Sequence, residues 1–341
     1  MYPDYLYGSR RYQYFGSTGL KVSPLSLGSL NFCNDNIKES KTIVDYYLAN
    51  GGNFIDTANN YGGGKTEEIL GHILPLKNRD NFILSTKFTA ALDDQDPNNF
   101  GSHRKNMVLS VEKSLKNLRV DYIDILWVHL WDHATSTYEM MSGLRDLVSQ
   151  GKVLYLGASN MPSWKVIEAN MLSSFNGWVP FSALQMHYNL FDRSLEPEYI
   201  PMIREHKLAI QPWSPMAGGM LCKNNLAAAS SEISNFRYNF NKEMYSNEDR
   251  NQEITNAVSI VAKELDKSVA QIALGYIIQK ESIISPVIGC RNVNQLKESL
   301  EVLDFDIPKD LVCLLDEVSS PMKAFPYSYY SLPFIKKYLP Q

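Results

Sequence analysis

The 341-residue chain predicts an α/β fold of one kind: a (β/α)8 TIM barrel with an N-terminal β-hairpin and long loops at its C-terminal face. Two observations carry this. Short apolar runs alternate with amphipathic helical segments along the chain, strand then helix, eight times over. The runs FILST and DILWV are also apolar throughout, without the in-out alternation of a half-solvated strand, as parallel strands covered on both faces should be.

Taken in order, residues 12–27 alternate loosely around Gly16 and Gly19, which reads as a hairpin running into a first barrel strand near Leu25–Leu27. A helix near Glu39–Ala49 stops at Asn50, Gly51 and Gly52. The strand Asn53–Asp56 precedes a helix over Thr66–Leu74, and the strand Phe82–Thr86 precedes one over Arg104–Leu118. Ile123–Val128 leads to a helix at Thr137–Gln150, closed by Gly151. Val153–Gly157 leads to a helix opening at Pro162, where proline suits the first turn. Ser182–Gln185 is followed by a helix at Leu195–His206. Leu208–Gln211 opens a long irregular stretch that ends in a helix at Asn251–Leu265. Ser268 caps a further helix, Val269–Lys280, and the last strand, Ser285–Ile288, precedes a helix at Asn294–Leu303. The expectation is one barrel domain over residues 1–341, with the barrel at about 25–307 and a tail at 308–341. Residues 88–103 and 213–250 are polar inserts at the catalytic face, long enough to be functional. The aromatic, proline-rich tail is expected either as a flap near that face or lying along the outside.

Composition narrows the function. Hydrophobic content of 44% and charged content of 21% suit a large core and exclude disorder. A net charge of −4, spread without blocks, argues against nucleic acid or an acidic membrane as partner. Cys33, Cys222, Cys290 and Cys313 stand far apart without a C-x-x-C pair, so neither a disulfide framework nor a metal site is expected. The N-terminus has no apolar leader region and no run is long enough to span a bilayer, so a cytoplasmic protein, monomeric or homo-oligomeric, is expected.

Four ionisable residues stand at the ends of successive strands: Asp56, Tyr61 just after it, Lys87 in STKF and His129 in VHL. Taken singly they read blandly, as a turn cap, a surface aromatic, a solvated lysine and a buried histidine. Together they outline a proton-transfer site. A tyrosine hydroxyl, with a reference pKa of about 10, is a weak acid near neutrality. A neighbouring ammonium favours its phenolate. Lys87 is the candidate cation, Asp56 its salt-bridge partner, and His129 a hydrogen-bonding partner for a substrate oxygen. Two rival motifs fail. GGGKT imitates the end of a phosphate-binding loop, but Asn59 stands where its first glycine belongs. No G-x-G-x-x-G follows a strand, so any dinucleotide must lie across the barrel mouth.

The order Asp, Tyr, Lys, His, with the phrases DTANNYGGGKTEE, STKF, VHL, GASN, ALQMHYNL and IQPWSPMAGG, resembles the aldo-keto reductase family over roughly residues 14–307. HLWDHATSTYEMM and the tryptophan of QPWSPMAGG look closest to its aryl-alcohol dehydrogenase-like branch. The resemblance implies reversible, metal-free reduction of an aldehyde or ketone to an alcohol with NADPH, NADH being the poorer fit. It implies Tyr61 as acid/base, Lys87 and Asp56 as its tuning pair and His129 as orienting partner. Asp56 also counts among the cofactor-facing residues, with Gly28 and Ser29 beneath the nicotinamide ribose. Ser159, Asn160 and Gln185 match the groups that hold the carboxamide, and Trp213 matches the aromatic on which the ring stacks. Ser214, Pro215, Met216, Ala217 and Gly218 offer a loop whose backbone can approach a pyrophosphate, with Lys223 and Arg237 as added charge. Gly289, Arg291, Gln295, Glu298 and Ser299 match the adenosine end, Arg291 being placed for a 2′-phosphate. Leu30, Phe32, Phe88, Trp131 and His133 are candidates to line an apolar mouth. Two alternatives stay open: a cofactor-binding regulatory subunit resembling potassium-channel β-subunits, and a sugar-nucleotide ketoreductase. The first typically lacks the histidine that stands here as His129.

Overall fold

The computed structural model describes residues 6–7, 10–33, 37–92, 95–222 and 239–338. Eight parallel strands form the expected barrel: β1 (Ser26–Gly28), β2 (Phe54–Asp56), β3 (Ile83–Phe88), β4 (Ile123–Val128), β5 (Val153–Ser159), β6 (Phe181–His187), β7 (Ile210–Trp213) and β8 (Val287–Gly289). Sequence neighbours pair in space, and β8 pairs with β1. A parallel bridge between Ile210 and Ile283 ties β7 to the residues entering β8, so the ring is nearly closed.

The helices lie where the sequence put them, within a few residues: α1 (Ile37–Ala49), α2 (Lys65–Ile73), α3 (Arg104–Leu118), α4 (Thr137–Ser149), α5 (Ser163–Asn176), α6 (Glu196–His206), α7 (Glu248–Glu264), α8 (Val269–Ile278) and α9 (Val293–Leu300). Their starts are chemically marked. Ser136, Asn247 and Asn292 each accept a hydrogen bond from the backbone N–H three residues on, and Ser268 forms a full capping box with Gln271. The Asn247 cap starts α7 a turn earlier than the apolar periodicity implied.

Every residue of β3 and β4 is buried, as runs without alternation required. Outward-facing Leu27, Ile55, Leu84, Leu126, Leu156, Leu184, Ile210 and Ile288 pack under the helices. Truncating one of them, such as Leu126→Ala, removes a fully buried side chain and costs about 2–5 kcal/mol. Inward-facing Phe54, Ile83, Ile125, Trp127, Ala183 and Ala209 fill the barrel floor.

The hairpin closes that floor from below. Gln13–Tyr14 pairs antiparallel with Lys21–Val22, and Phe15 sets its ring edge-on against Phe54, Trp127 and Tyr155 at 5.8–6.5 Å between centroids. Gly16 is obligatory there. Its φ is +57°, and a Cβ would lie 1.9 Å from the Ser182 carbonyl oxygen. An earlier ladder, Leu6–Tyr7 with Arg10–Arg11, was not expected from the sequence.

The tail differs from expectation in one respect. Residues Lys309–Val318 form a further helix, α10, because Leu311 and Leu315 make a buried stripe. A polar network anchors it. Arg193 binds Glu196 through Nε and Nη2 and reaches the Asp316 carbonyl and the Ser319 hydroxyl at 2.9 and 2.8 Å. Arg250 bonds the carbonyls of Phe191 and Ser319. Beyond α10 come two one-turn helices, Tyr327–Tyr330 and Pro333–Lys336, with Phe325, Phe334 and Tyr338 exposed.

Candidate active site

Strand register assembles the site. Asp56, the last residue of β2, pairs with Ser85 on β3 and Gly28 on β1, and Gly28 pairs with Gly289 on β8. Lys87 lies two residues beyond Ser85 and so points to the same inner face. The two charges meet there. Lys87 Nζ donates to Asp56 Oδ2 at 2.6 Å, to the Thr57 carbonyl at 2.8 Å and to Tyr61 Oη at 3.1 Å. Asp56 Oδ1 also accepts from Ser85 Oγ at 2.6 Å and from Gln185 Nε2 at 3.0 Å.

Lys87 and Asp56 are each 1% exposed, so the lysine is not the solvated strand-end residue it resembles when read alone. Burial by itself would pull the Lys87 ammonium down. The Asp56 and Tyr61 charges, with the hydrogen bonds to both, carry it above its ordinary value instead. Tyr61 opens a short turn, Tyr61–Gly64, whose three glycines have φ of +57°, +67° and +93°. That left-handed run swings the chain from β2 into α2 and leaves the Tyr61 ring against the ammonium, 4.8 Å from Nζ to the centroid.

His129 follows the last residue of β4, its ring edge-on to Tyr61 at 6.2 Å. Burial first, and the Lys87 charge second, push its pKa down to about 3, so the ring is neutral near pH 7. Its Nδ1 is buried with no hydrogen-bond partner among the described residues. An unpaired donor or acceptor in such a place is costly unless a ligand meets it.

A second group faces the same opening from β5, β6 and β7. Ser159, Gln185 and Gln211 share one register row. Gln185 Nε2 donates to Gln211 Oε1 at 2.8 Å as well as to Asp56. Asn160 sits at φ +48° and donates to the His129 carbonyl and to Ser159 Oγ, while its Oδ1 accepts from Trp213 Nε1 at 3.0 Å. Trp213 is thereby fixed on one edge, and His187 packs on it at 4.5 Å. His187 is held in turn by Asp192 and Tyr245.

Beyond Trp213 the chain turns sharply. Ser214 and Ala217 have φ of +56° and +51°, Pro215 is buried, and Gly218 at +63° has no room for a Cβ beside Asn241. Met216 is followed by left-handed Ala217, whose N–H closes the turn onto the Ser214 carbonyl at 2.9 Å, and the Gly219 N–H bonds the Met216 carbonyl at 2.9 Å. Across the mouth, α9 begins at Val293. Gly289 is exposed, and the exposed Arg291 makes no side-chain bond to any described residue. Gln295 Oε1 accepts from the Arg291 N–H at 2.8 Å, and Glu298 lies close enough to Cys222 to raise its thiol, after burial.

Three of the expected cofactor residues already have close protein neighbours. Ser299 is buried, its hydroxyl bonded to the Gln295 carbonyl. Both the N–H and hydroxyl of Ser29 are turned onto the Asp56 carbonyl, at 3.0 and 2.9 Å. Gly28 leaves room for Val287, which a Cβ would approach to 2.6 Å. Lys223 and Arg237 fall outside the described residues. Of the residues considered for an apolar mouth, Phe32 and Phe88 are corrected: both are buried in the packing behind the strands, because β3 runs one residue past Lys87 and turns Phe88 outward. Trp131 and His133 stack with ring centroids 3.8 Å apart, and Trp164 meets Trp131 edge-on at 5.4 Å.

Sequence reading missed Ser85, Gln211 and Trp164. The first two had a signal, since each is a polar residue at an inward position of an otherwise apolar strand, two residues from a residue already singled out. Trp164 had none.

Comparison with known proteins agrees with this arrangement. The profile of the Aldo/keto reductase family matches residues 24–320. Norsolorinic acid reductase A of Aspergillus parasiticus is 34% identical over 92% of this chain and 82% of its own length. An aryl-alcohol dehydrogenase of Pestalotiopsis microspora is 34% identical over 92% and 83%, and the aryl-alcohol dehydrogenase [NADP(+)] of Phanerodontia chrysosporium 33% over 91% and 86%.

Proposed function

The chain belongs to the aldo/keto reductase family, an oxidoreductase family that acts on small carbonyl compounds, and from that premise we propose that it reduces aldehydes or ketones to alcohols with NADPH, reversibly. The observation that carries the proposal is the buried Lys87 ammonium, bonded at once to the Asp56 carboxylate and the Tyr61 hydroxyl.

The residues at the mouth suit a nicotinamide dinucleotide. The Trp213 ring offers a stacking surface, Gln185 Oε1 and the Arg291 guanidinium are unpaired among the described residues, and the Ser214–Gly218 turn lets backbone come close to a pyrophosphate. Ser159 and Asn160 would hold the carboxamide together with Gln185, and Gln295 and Glu298 flank the adenosine end. When bound, the cofactor supplies the hydride. Tyr61 gives its hydroxyl proton to the carbonyl oxygen as charge develops there, and recovers it in the reverse direction. Lys87 stabilises the phenolate left behind, and Asp56 keeps that ammonium in place. Neutral His129 orients the carbonyl through a hydrogen bond without adding charge. No metal is required for any of these steps.

For substrate, the aromatic cluster of Trp131, His133 and Trp164 favours a planar, aromatic carbonyl, in keeping with the aryl-alcohol dehydrogenases among the relatives. Reduced-nicotinamide oxidation across a panel of aryl and alkyl aldehydes and ketones tests the proposal. Turnover of several aryl carbonyls with NADPH is expected, and no turnover of any carbonyl would overturn it. Among the described residues no helix is long and apolar enough to cross a membrane.

A further inference from the structure

From the barrel interior we infer that Gln211 is a positioning residue, which leaves Gln185 with only an acceptor to offer a ligand. The inference rests on the nicotinamide reading of the site and adds a residue to it. Gln211 lies on β7 beside Gln185 on β6, both buried. A chain of hydrogen bonds crosses the barrel through them. Ser26 Oγ donates to the Ser285 carbonyl at 2.9 Å, Gln211 Nε2 to Ser26 Oγ at 3.0 Å, and Gln185 Nε2 to Gln211 Oε1 at 2.8 Å and to Asp56 Oδ1 at 3.0 Å.

The direction of every bond is fixed by its ends. The Ser285 carbonyl only accepts, so the Ser26 proton must go there and its oxygen is left to accept from Gln211. Gln211 must then turn its NH2 to Ser26 and its oxygen to Gln185. At the other end an ionised Asp56 also only accepts. Both N–H bonds of Gln185 are therefore used inside the barrel, one by each partner, and its Oε1 remains, unpaired among the described residues. A ligand meeting Gln185 must bring a donor, as the NH2 of a carboxamide does. Without Gln211, one Gln185 N–H is released, and the amide can turn a donor toward the mouth.

The test compares the affinities of the full chain for NADP and for its acetylpyridine analogue, in which a methyl replaces the carboxamide NH2, by titration calorimetry. Wild type is expected to prefer NADP by about three- to tenfold, the worth of one net hydrogen bond. In Gln211→Met the ratio should fall toward one, whereas a purely structural role would lower melting temperature and leave the ratio alone. Ser26→Ala, which keeps both amides but frees the far end of the chain, should give an intermediate ratio and carries the test if Gln211→Met does not fold. A wild-type ratio retained in whichever of these variants folds overturns the inference. Failure of wild type to bind NADP at all would instead overturn the reading of the site, and the inference with it.

Discussion

Replacing Tyr61 by phenylalanine removes one oxygen atom and leaves the rest of the site in place. The Lys87 ammonium loses its 3.1 Å partner but keeps Asp56 at 2.6 Å and the Thr57 carbonyl at 2.8 Å, so the buried cation stays held. The structural cost is one hydrogen bond to a half-buried hydroxyl, at the low end of about 0.5–1.5 kcal/mol. The chemical cost is larger. Without the hydroxyl, no described side chain beside Lys87 can deliver a proton, since His129 is neutral with its pKa near 3. Loss of a positioned general acid lowers turnover by about 10²–10⁴-fold, or roughly 2.7–5.4 kcal/mol of barrier. Steady-state reduction of an aryl aldehyde, followed by disappearance of the reduced nicotinamide, gives kcat. Calorimetry with NADP gives cofactor affinity, expected within about twofold of wild type because Tyr61 is not among the cofactor contacts. A kcat within about tenfold of wild type, at unchanged cofactor affinity, would remove Tyr61 from the proton step.

Four other substitutions probe separate parts of the site. Lys87→Met leaves the Asp56 carboxylate buried without its cation and should cost about 3–5 kcal/mol in urea denaturation; a loss under about 1 kcal/mol would mean the pair is solvated. Because the Lys87 value is raised in the folded state, its contribution is complete below the unfolded value of about 10.4 and lost as pH rises through the folded one, so wild type, unlike the variant, should weaken in strong alkali. His129 behaves oppositely: its value is depressed to about 3, so its contribution is complete above about 6.5 and lost as pH falls toward 3. His129→Gln should blunt acid unfolding between those limits, and identical acid curves would show the ring to be solvated. Arg291→Ala should weaken NADPH by about 1.5–3 kcal/mol and leave NADH nearly unchanged in kcat/KM; equal losses with both would place the phosphate elsewhere. Trp213→Ala should weaken NADP by about 1–3 kcal/mol, and equal affinity would reduce this tryptophan to packing.

The barrel was legible because its strands are buried on both faces and its helix starts carry their own caps. The period-free runs and residues such as Ser268 state that without tertiary help. The tetrad was legible because each member stands at the end of an apolar run. What the sequence hid depends on register. That Gln185 and Gln211 meet, or that Ser85 reaches Asp56, follows only from which residues pair across neighbouring strands, and no local pattern reports it. The helix α10 was hidden for another reason, its Leu311–Leu315 stripe being short and next to an aromatic tail that drew the reading away. Ser299 shows a third case. A helix position names a face, but the buried side of α9 was set by packing against β8 and its neighbours.

The hydrocarbon floor beneath the tetrad has an electrical consequence. Phe54, Ile83, Ile125 and Trp127, sealed from below by Phe15, form a layer with few reorientable dipoles, hence a low dielectric, under the Lys87–Asp56 dipole. Field lines from that dipole meet little screening below, and water can answer them only through the opening above. The barrel thus works as a one-sided insulator that directs the field at whatever occupies its mouth. A polar side chain set into that floor would drain the field without touching any residue that binds or reacts.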